Sequence, residues 1–184
     1  MFIRTERLFL RPVFEEDWRE ILAGIGEEAV VRMLARAPWP YAASDAREFC
    51  ARPHDPRLPT FAVTLPGMAG APLIGVCGFH EEDEGIEFGY WIAPGRWGRG
   101  YATEAGRAAL EVVRATRVRR VLAGHYLDNP ASGKVLRKLG FAETGEVRPT
   151  FCRARGGEMV LARRFALELC GVDGSLDAAM PKVA

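Results

Sequence analysis

The stretch RWGRGYATEA, residues 96–105, places Gly98 and Gly100 directly before a run of small, helix-forming residues. It follows a hydrophobic segment that ends at Pro94, so the order strand, glycine loop, helix is predicted. The first N–H groups of a helix have no partner inside the helix and carry partial positive charge. Glycines let an anion approach such a site, so a phosphate-binding loop and a simple tight turn are both open interpretations.

Two familiar nucleotide motifs do not fit this loop. The dinucleotide fingerprint GxGxxG would need glycine at position 103, where Thr103 stands. The P-loop ending GK[ST] is absent as well. If the loop holds a pyrophosphate, the ligand belongs to another cofactor class.

The flanking sequence predicts a mixed α/β order. Strands are expected at residues 7–12, 60–65, 73–80, 86–92, 119–125, 141–147 and 158–165, and helices at 15–25, 44–51, 101–116 and 130–138. Short turns between the strands from 60 to 92 predict antiparallel pairing, whereas the helix at 101–116 indicates a crossover to a parallel strand. On its outer face Glu104, Arg107, Glu111 and Arg114 are spaced to form ion pairs along the helix.

Local signals mark the ends of two helices. Ser44 is predicted to cap the helix that starts there, and Asn129 to cap the helix at 130–138, with Pro130 in the first helical position. Gly140 suits the position after that helix ends, and Phe141 can fold back as the apolar contact of the cap.

Composition restricts the classes of function. The chain has 184 residues, 48% hydrophobic and 27% charged, with a formal net charge of +1. These values favour one globular domain over residues 1–170, with an aperiodic tail at 171–184 that is either mobile or a partner contact. They give no case for nucleic acid or a membrane. The four cysteines and three histidines lack metal-ligand spacing, so no metal and a cytoplasmic location are expected.

Two longer motifs carry a family resemblance. EFGYWIAPGRWGRGYATEA at residues 87–105 and NPASGKVLRKLGF at 129–141 resemble the GNAT superfamily of acyl-CoA-dependent N-acetyltransferases. TERLFLRP at 5–12 and PWPY at 38–41 are similar to its branch of ribosomal-protein alanine N-acetyltransferases. The resemblance spans roughly residues 5–164. It implies an α/β fold with a mixed, mostly antiparallel sheet of about seven strands, a splayed parallel central pair and about four flanking helices.

The resemblance also implies acetyl-CoA as co-substrate and a set of residues that bind it. Gly100 and Ala102 match the small positions of the family loop [QR]xxGx[GA], and Trp97 stands where that pattern has Gln or Arg. Pyrophosphate would lie on the loop, the pantetheine arm along the fourth family strand, and the thioester beside the helix at 130–138. The implied contacts are Trp91, Ile92, Ala93, Trp97, Gly98, Arg99, Gly100, Tyr101, Ala102, Thr103, Asn129, Ser132 and Lys134, with Arg137 an alternative to Lys134 for the 3′-phosphate.

Candidate catalytic residues follow from the same resemblance. Many relatives use a tyrosine in the helix beside the thioester as proton donor, but this chain has none after Tyr126. Ser132 is therefore the candidate donor for the departing thiolate, and Glu87 the candidate base for the amine proton. Glu81, Glu82 and His80 are rival bases. Trp39, Tyr41 and His80 are the expected contacts on the acceptor side.

The predicted activity is transfer of acetyl to a primary amine, with a protein N-terminal α-amine as the first choice. An amino sugar, a polyamine or an antibiotic is an alternative acceptor, and a longer acyl chain an alternative donor. A non-catalytic acyl-CoA-binding or regulatory module would have the same phosphate loop. The sequence leaves a monomer and a homodimer open.

Overall fold

A computed structural model describes residues 1–53, 55–67 and 69–169; the tail predicted at 171–184 lies outside the described residues. Within the described residues one sheet of eight strands has the order β1-β2-β3-β4-β5-β6-β8-β7. Its strands are β1 (Ile3–Arg4), β2 (Phe9–Pro12), β3 (Thr60–Thr64), β4 (Leu73–Glu82), β5 (Gly85–Ile92), β6 (Arg120–Tyr126), β7 (Ala142–Cys152) and β8 (Glu158–Glu168).

Helices cover both faces of this sheet. They are α1 (Trp18–Ile25), α2 (Glu28–Val31), α3 (Ala43–Cys50), α4 (Tyr101–Arg114) and α5 (Pro130–Lys138). One buried cluster joins α4 and α5 to the sheet through residues such as Ala109, Leu136 and Phe165. A second joins α1, α2 and α3 to the opposite face through Ile21, Val31 and Trp91. The result is the three-layer architecture that alternating helices and strands favour.

The splayed parallel pair at the centre of the sheet is confirmed. Every neighbouring pair of strands is antiparallel except β5 and β6, which are in register at Glu87 and Leu122 alone. Beyond Glu87 the two strands diverge, so the edge of β5 toward its carboxyl end faces a gap. The strand and helix numbers differ slightly from expectation, because residues 3–4 form a two-residue strand and 28–31 a one-turn helix.

The predicted ends of α5 are correct, whereas the cap of α3 is wrong. Asn129 Oδ1 accepts a hydrogen bond from the Ser132 amide at 3.2 Å, and Gly140 has φ +93°. Helix α3 begins one residue before Ser44, and the Asp45 carboxylate accepts from the Ala42 amide at 2.8 Å. A carboxylate in the first turn satisfies this free amide and complements the helix dipole, so it replaces the serine cap.

Among the described residues, no helix combines the length and apolar character that crossing a membrane requires.

Candidate active site

A cleft of about 1430 Å³ opens where β5 and β6 diverge. Its lining includes the glycine loop, the start of α4, the gap-facing end of β5 and the first turn of α5. Residues from α3, the segment between α2 and α3, and the β4–β5 turn line the other side. The topology therefore brings chain segments more than one hundred residues apart into one site.

The glycine loop has the backbone that an anion site needs. Gly98 and Gly100 have φ values of +72° and +81°, the left-handed region that favours glycine. Gly100 is the N-cap of α4 and supplies no side chain to its free amides. A Cβ added at Gly98 would meet nothing within 4 Å. The loop thus leaves open space beside the cleft, and within the described part of the chain no group accepts from the N–H groups of residues 101–103, which fits a phosphate.

An ion pair anchors this loop to the amino-terminal segment. The Glu104 carboxylate on α4 accepts from the Arg7 amide at 2.8 Å, the Arg7 Nε at 2.7 Å and the Thr5 hydroxyl at 2.6 Å. Arg7 Nη1 also donates to the Arg99 carbonyl at 2.9 Å, inside the loop. Burial raises the pKa of Glu104, but the hydrogen bonds from Thr5 and Arg7 outweigh it and hold that pKa below its ordinary value.

Glu104 therefore has a different role from the one its helical spacing predicts. Its carboxylate is engaged with Arg7, whereas Glu111 and Arg114 do form the expected ion pair along α4. The contact with Arg7 joins residues 97 positions apart in the chain, so no local pattern can reveal it.

The backbone of β5 alternates between β4 and the gap. The Ala93 amide donates to the Ile74 carbonyl at 2.8 Å, so this N–H faces β4. Antiparallel alternation then turns the backbone groups of Ile92 and Tyr90 toward the gap. The Trp97 indole donates to the Ile92 carbonyl at 2.5 Å on that side. Ile92 and Tyr90, rather than Ala93, thus have the edge groups that an extended ligand arm can reach.

Two hydroxyl groups meet beside the gap. Tyr90 on β5 donates to Ser132 Oγ in the first turn of α5 at 2.9 Å. Burial raises the pKa of Tyr90 to about 12, although the hydrogen bond with Ser132 acts in the opposite direction. Tyr90 is therefore protonated throughout the physiological range. Sequence reasoning missed this residue, because it considered donors only within the helix.

Glu87 forms a two-pronged ion pair. Its carboxylate oxygens accept from Arg164 at 3.2 and 2.9 Å, and Arg164 on β8 is only 6% exposed. Alternation along β5 directs Glu87 to the opposite face from Tyr90. The guanidinium orients the carboxylate, and any substrate proton must compete with it for the oxygens.

Ion pairs also neutralise much of the acidic β4–β5 turn. Glu82 contacts both Arg36 and His80, and Glu84 pairs with Arg148. Burial, followed by the charge of Arg36, lowers the pKa of His80 below its ordinary value. His80 is therefore neutral at physiological pH.

The predicted site residues divide into two groups. Most line the cleft: Tyr41, His80, Glu81, Glu82, Glu87, Trp91, Ile92, Trp97, Gly98, Gly100, Tyr101, Ala102, Thr103, Asn129, Ser132 and Lys134. Ala93, Arg99, Trp39 and Arg137 lie outside that lining. Trp39 is 40% exposed, and Arg137 forms an ion pair with Glu143. The alternation of β5 could have indicated that Tyr90 lies in the site. No local sequence pattern indicates that Arg164 pairs with Glu87.

Among residues 1–53, 55–67 and 69–169, no group of three or more His, Cys, Asp or Glu side chains is arranged to hold a metal ion.

Comparison with known proteins identifies the family. The family model described as "Acetyltransferase (GNAT) domain" matches residues 7–142. The chain therefore belongs to the GNAT acetyltransferases, the class of enzyme that its splayed sheet and glycine loop define.

Three solved structures have the same fold. A GNAT-family acetyltransferase from Bacillus anthracis is 26% identical, with a TM-score of 0.76 over 91% of this chain and 98% of that one. Ribosomal-protein-S5-alanine acetyltransferase from Vibrio fischeri has a TM-score of 0.73 at 14% identity, covering 92% and 97% of the two chains. Spermidine N-acetyltransferase from Vibrio cholerae, in complex with CoA and spermine, has a TM-score of 0.72 at 22% identity, covering 90% of this chain and 97% of that one.

The last two structures are similar to this chain in fold alone. Their acceptors differ in class, yet their TM-scores differ by only 0.01. The fold is consistent with the suspected ribosomal-protein branch, but it does not select the acceptor.

Proposed function

We propose that this enzyme transfers acetyl from acetyl-CoA to a primary amine by direct attack, with a protein N-terminal α-amine as the preferred acceptor. The gap between β5 and β6 carries this proposal, because it has an anion-binding loop at one side and the Ser132 hydroxyl at the other. A linear thioester fits between these two features. The acceptor would enter from the side lined by Tyr41 and His80.

The cofactor-binding role falls on backbone groups. The amides of residues 98–103 would hold the pyrophosphate, since the left-handed glycines keep side chains away from it. The edge groups of Ile92 and Tyr90 would pair with the pantetheine arm. Lys134 lines the cleft and would contact the 3′-phosphate, in preference to the ion-paired Arg137. Acetyl-CoA supplies the activated acyl group when bound.

The chemistry needs one proton acceptor and one hydrogen-bond donor. The neutral amine nitrogen bonds to the acetyl carbon, and the carbon–sulfur bond breaks with its electron pair on sulfur. Glu87 takes the amine proton, directly or through water, and Ser132 stabilises the thiolate by a hydrogen bond. A free thiol has a pKa of about 8.5, so the thiolate is a tolerable leaving group without a strong acid.

Charge pairing on the acceptor side supports a single amine over a polyamine. Glu82, Glu84 and Glu87 each already contact an arginine, so they offer little net attraction for a polycation. An α-amine has a pKa of about 7.7–8.0 and is partly neutral at physiological pH. A lysine side chain, at about 10.4, would demand more assistance from the base.

An acceptor panel tests the proposed substrate class. Purified protein with acetyl-CoA would be offered peptides with free or blocked amino termini, spermidine and an aminoglycoside, and thiol release would be followed. Free-terminus peptides should give the highest kcat/KM. Turnover with spermidine or the aminoglycoside alone would contradict the α-amine choice and leave the enzyme class intact.

A separate experiment tests Glu87 as base. Glu87→Gln keeps the shape of the side chain and one accepting oxygen but cannot take a proton, so it should lower kcat by about 10²–10⁴ and flatten the acidic limb of the pH–rate profile. Because the variant leaves the buried Arg164 without its counter-charge, it could lose about 3–5 kcal/mol of stability. The double variant Glu87→Gln/Arg164→Met removes that charge and should show the same kinetic defect. Normal kcat with an unchanged profile would assign the base to His80 or water.

A further inference from the structure

The hydrogen bond between Tyr90 and Ser132 links two elements across the cleft. Tyr90 belongs to β5 and Ser132 to the first turn of α5, 42 residues later, and their hydroxyl oxygens are 2.9 Å apart. Both residues line the cleft. The Ser132 hydroxyl is not needed to cap α5, because the Asn129 side chain already caps the helix by accepting from the Ser132 amide.

Packing fixes both partners. The Tyr90 ring stacks on Phe88 with centroids 5.8 Å apart, and it packs against the core between the sheet and α4. The Asn129 cap fixes the turn of α5 that contains Ser132. The two hydroxyls therefore meet without the rotational freedom that exposed side chains would have.

Counting donors shows what this contact does to Ser132. A serine hydroxyl has one proton to donate and can accept two hydrogen bonds. A phenol is more acidic than an aliphatic hydroxyl and is the stronger donor, so Tyr90 donates to Ser132 Oγ and the serine proton points elsewhere. Among the described residues no acceptor engages that proton, and the residue borders the cleft.

We propose that Tyr90 is a positioning residue, which by donating to Ser132 turns the Ser132 hydroxyl into a donor aimed at the departing sulfur of acetyl-CoA. The role rests on the acetyl transfer proposed above. Tyr90 transfers no proton: the carbon–sulfur bond breaks with its electron pair on sulfur, and Ser132 hydrogen-bonds to the resulting thiolate. The amine proton leaves to the base. The thiolate later takes a proton from solvent.

The thiol of bound CoA gives a readout that does not depend on turnover. Its ionisation can be titrated by thiolate absorbance in the complex with the wild type, Tyr90→Phe, Ser132→Ala and the double variant. Tyr90→Phe retains the packed ring and removes only the hydroxyl. A hydrogen bond to a charged group is strong enough that its loss should raise the thiol pKa by about one unit.

The pattern across the variants identifies a positioning role. Tyr90→Phe and Ser132→Ala should raise the thiol pKa by similar amounts, and the double variant should go no further. Each should lower kcat at least about tenfold with little change in the KM for acetyl-CoA. Tyr126→Phe is the matched control, because the buried Tyr126 hydroxyl also donates a hydrogen bond, to the Phe151 carbonyl at 2.7 Å. Tyr126 also lines the cleft, but its hydroxyl donates to Phe151 and not to Ser132, so Tyr126→Phe should leave the thiol pKa unchanged.

Two results would overturn the role. One is a thiol pKa in Tyr90→Phe equal to that of the wild type. The other is an effect of Tyr90→Phe that persists undiminished in the Ser132→Ala background, since Tyr90 would then act without Ser132. Failure of the wild type to bind CoA at all would instead refute the proposed function, and calorimetric titration detects that outcome separately.

Discussion

Alanine at Gly98 separates the effect of backbone strain from the effect on ligand binding. Gly98 has φ +72°, and a Cβ there would meet no protein atom within 4 Å. Gly145 in β7 has φ +85° and equally open surroundings, but it lies outside the cleft lining. Gly98→Ala and Gly145→Ala therefore form a matched pair that differs in position relative to the proposed pyrophosphate site.

The strain cost should be similar in both variants. A non-glycine residue in the left-handed region costs about 1–2 kcal/mol. For a domain of this size each kcal/mol changes Tm by about 2–4 °C, so both variants should melt about 2–8 °C below the wild type. With no neighbouring atom to clash at either site, strain is the main contribution.

Ligand binding should distinguish the pair. CoA at about 100 times its Kd stabilises a protein by about 2.7 kcal/mol. Loss of one charge-assisted hydrogen bond weakens affinity by about tenfold or more, which reduces that stabilisation to about 1.4 kcal/mol or less. The CoA-induced rise in Tm should thus fall by about half or more in Gly98→Ala and remain intact in Gly145→Ala.

A thermal-shift series over CoA concentration, with calorimetric Kd values, checks this prediction. Equal CoA-induced shifts in Gly98→Ala, Gly145→Ala and the wild type would refute the assignment of the loop. A loss of the shift in both variants would mean that strain spreads through the sheet, and the reasoning from local open space would be wrong.

Two further predictions concern stability. Gly75→Ala should be strongly destabilising, because its Cβ would lie 2.3 Å from the Trp91 carbonyl oxygen. Gly67→Ala is the control and should melt close to the wild type, because its Cβ would meet nothing within 4 Å among the described residues. Similar melting curves for the two variants would contradict the packing of β4 on β5. Glu104→Gln should lower Tm at neutral pH, because the folded pKa of Glu104 is depressed and the carboxylate therefore stabilises the fold. The difference in Tm should shrink as pH falls below the ordinary glutamate pKa of about 4.3, and it should vanish below the lower pKa of the folded state. Melting curves across pH check this, and a constant difference would mean that the ion pair with Arg7 contributes nothing.

Local sequence signals were sufficient for much of the fold. Asn129, Pro130 and Gly140 mark the ends of α5 through interactions within a few residues, and the structure has these ends where they are expected. The two glycines before α4 indicated a tight turn or a phosphate-binding loop, and both have left-handed backbone in the structure. Ser44 was misleading because the helix begins one residue earlier, with the Asp45 carboxylate on the Ala42 amide, so Ser44 lies inside the first turn.

Contacts between distant segments were beyond such reasoning. Glu104 is spaced to form ion pairs along the outer face of α4, yet its partner Arg7 lies in the turn between β1 and β2. Tyr90 meets Ser132 only because β5 and α5 border the same gap. Alternation along β5 places Glu87 on the face opposite Tyr90. Its contact with the buried Arg164 depends on the register in which β8 pairs with β6. The periodicity of the sequence thus predicts which face of an element a side chain occupies, but its contact partner depends on the topology of the whole sheet.

Acetyl transfer from acetyl-CoA to an amine releases one free thiol for each acetylated amine, so the stoichiometry of the reaction is the decisive measurement. Purified enzyme, acetyl-CoA and the best acceptor from the panel would be sampled over time for free thiol and, by mass spectrometry, for acetylated amine. One acetyl group should appear on the amine for each thiol released, at a rate that depends on enzyme concentration. Tight CoA binding without acetylation of any amine would contradict it and identify an acyl-CoA-binding module.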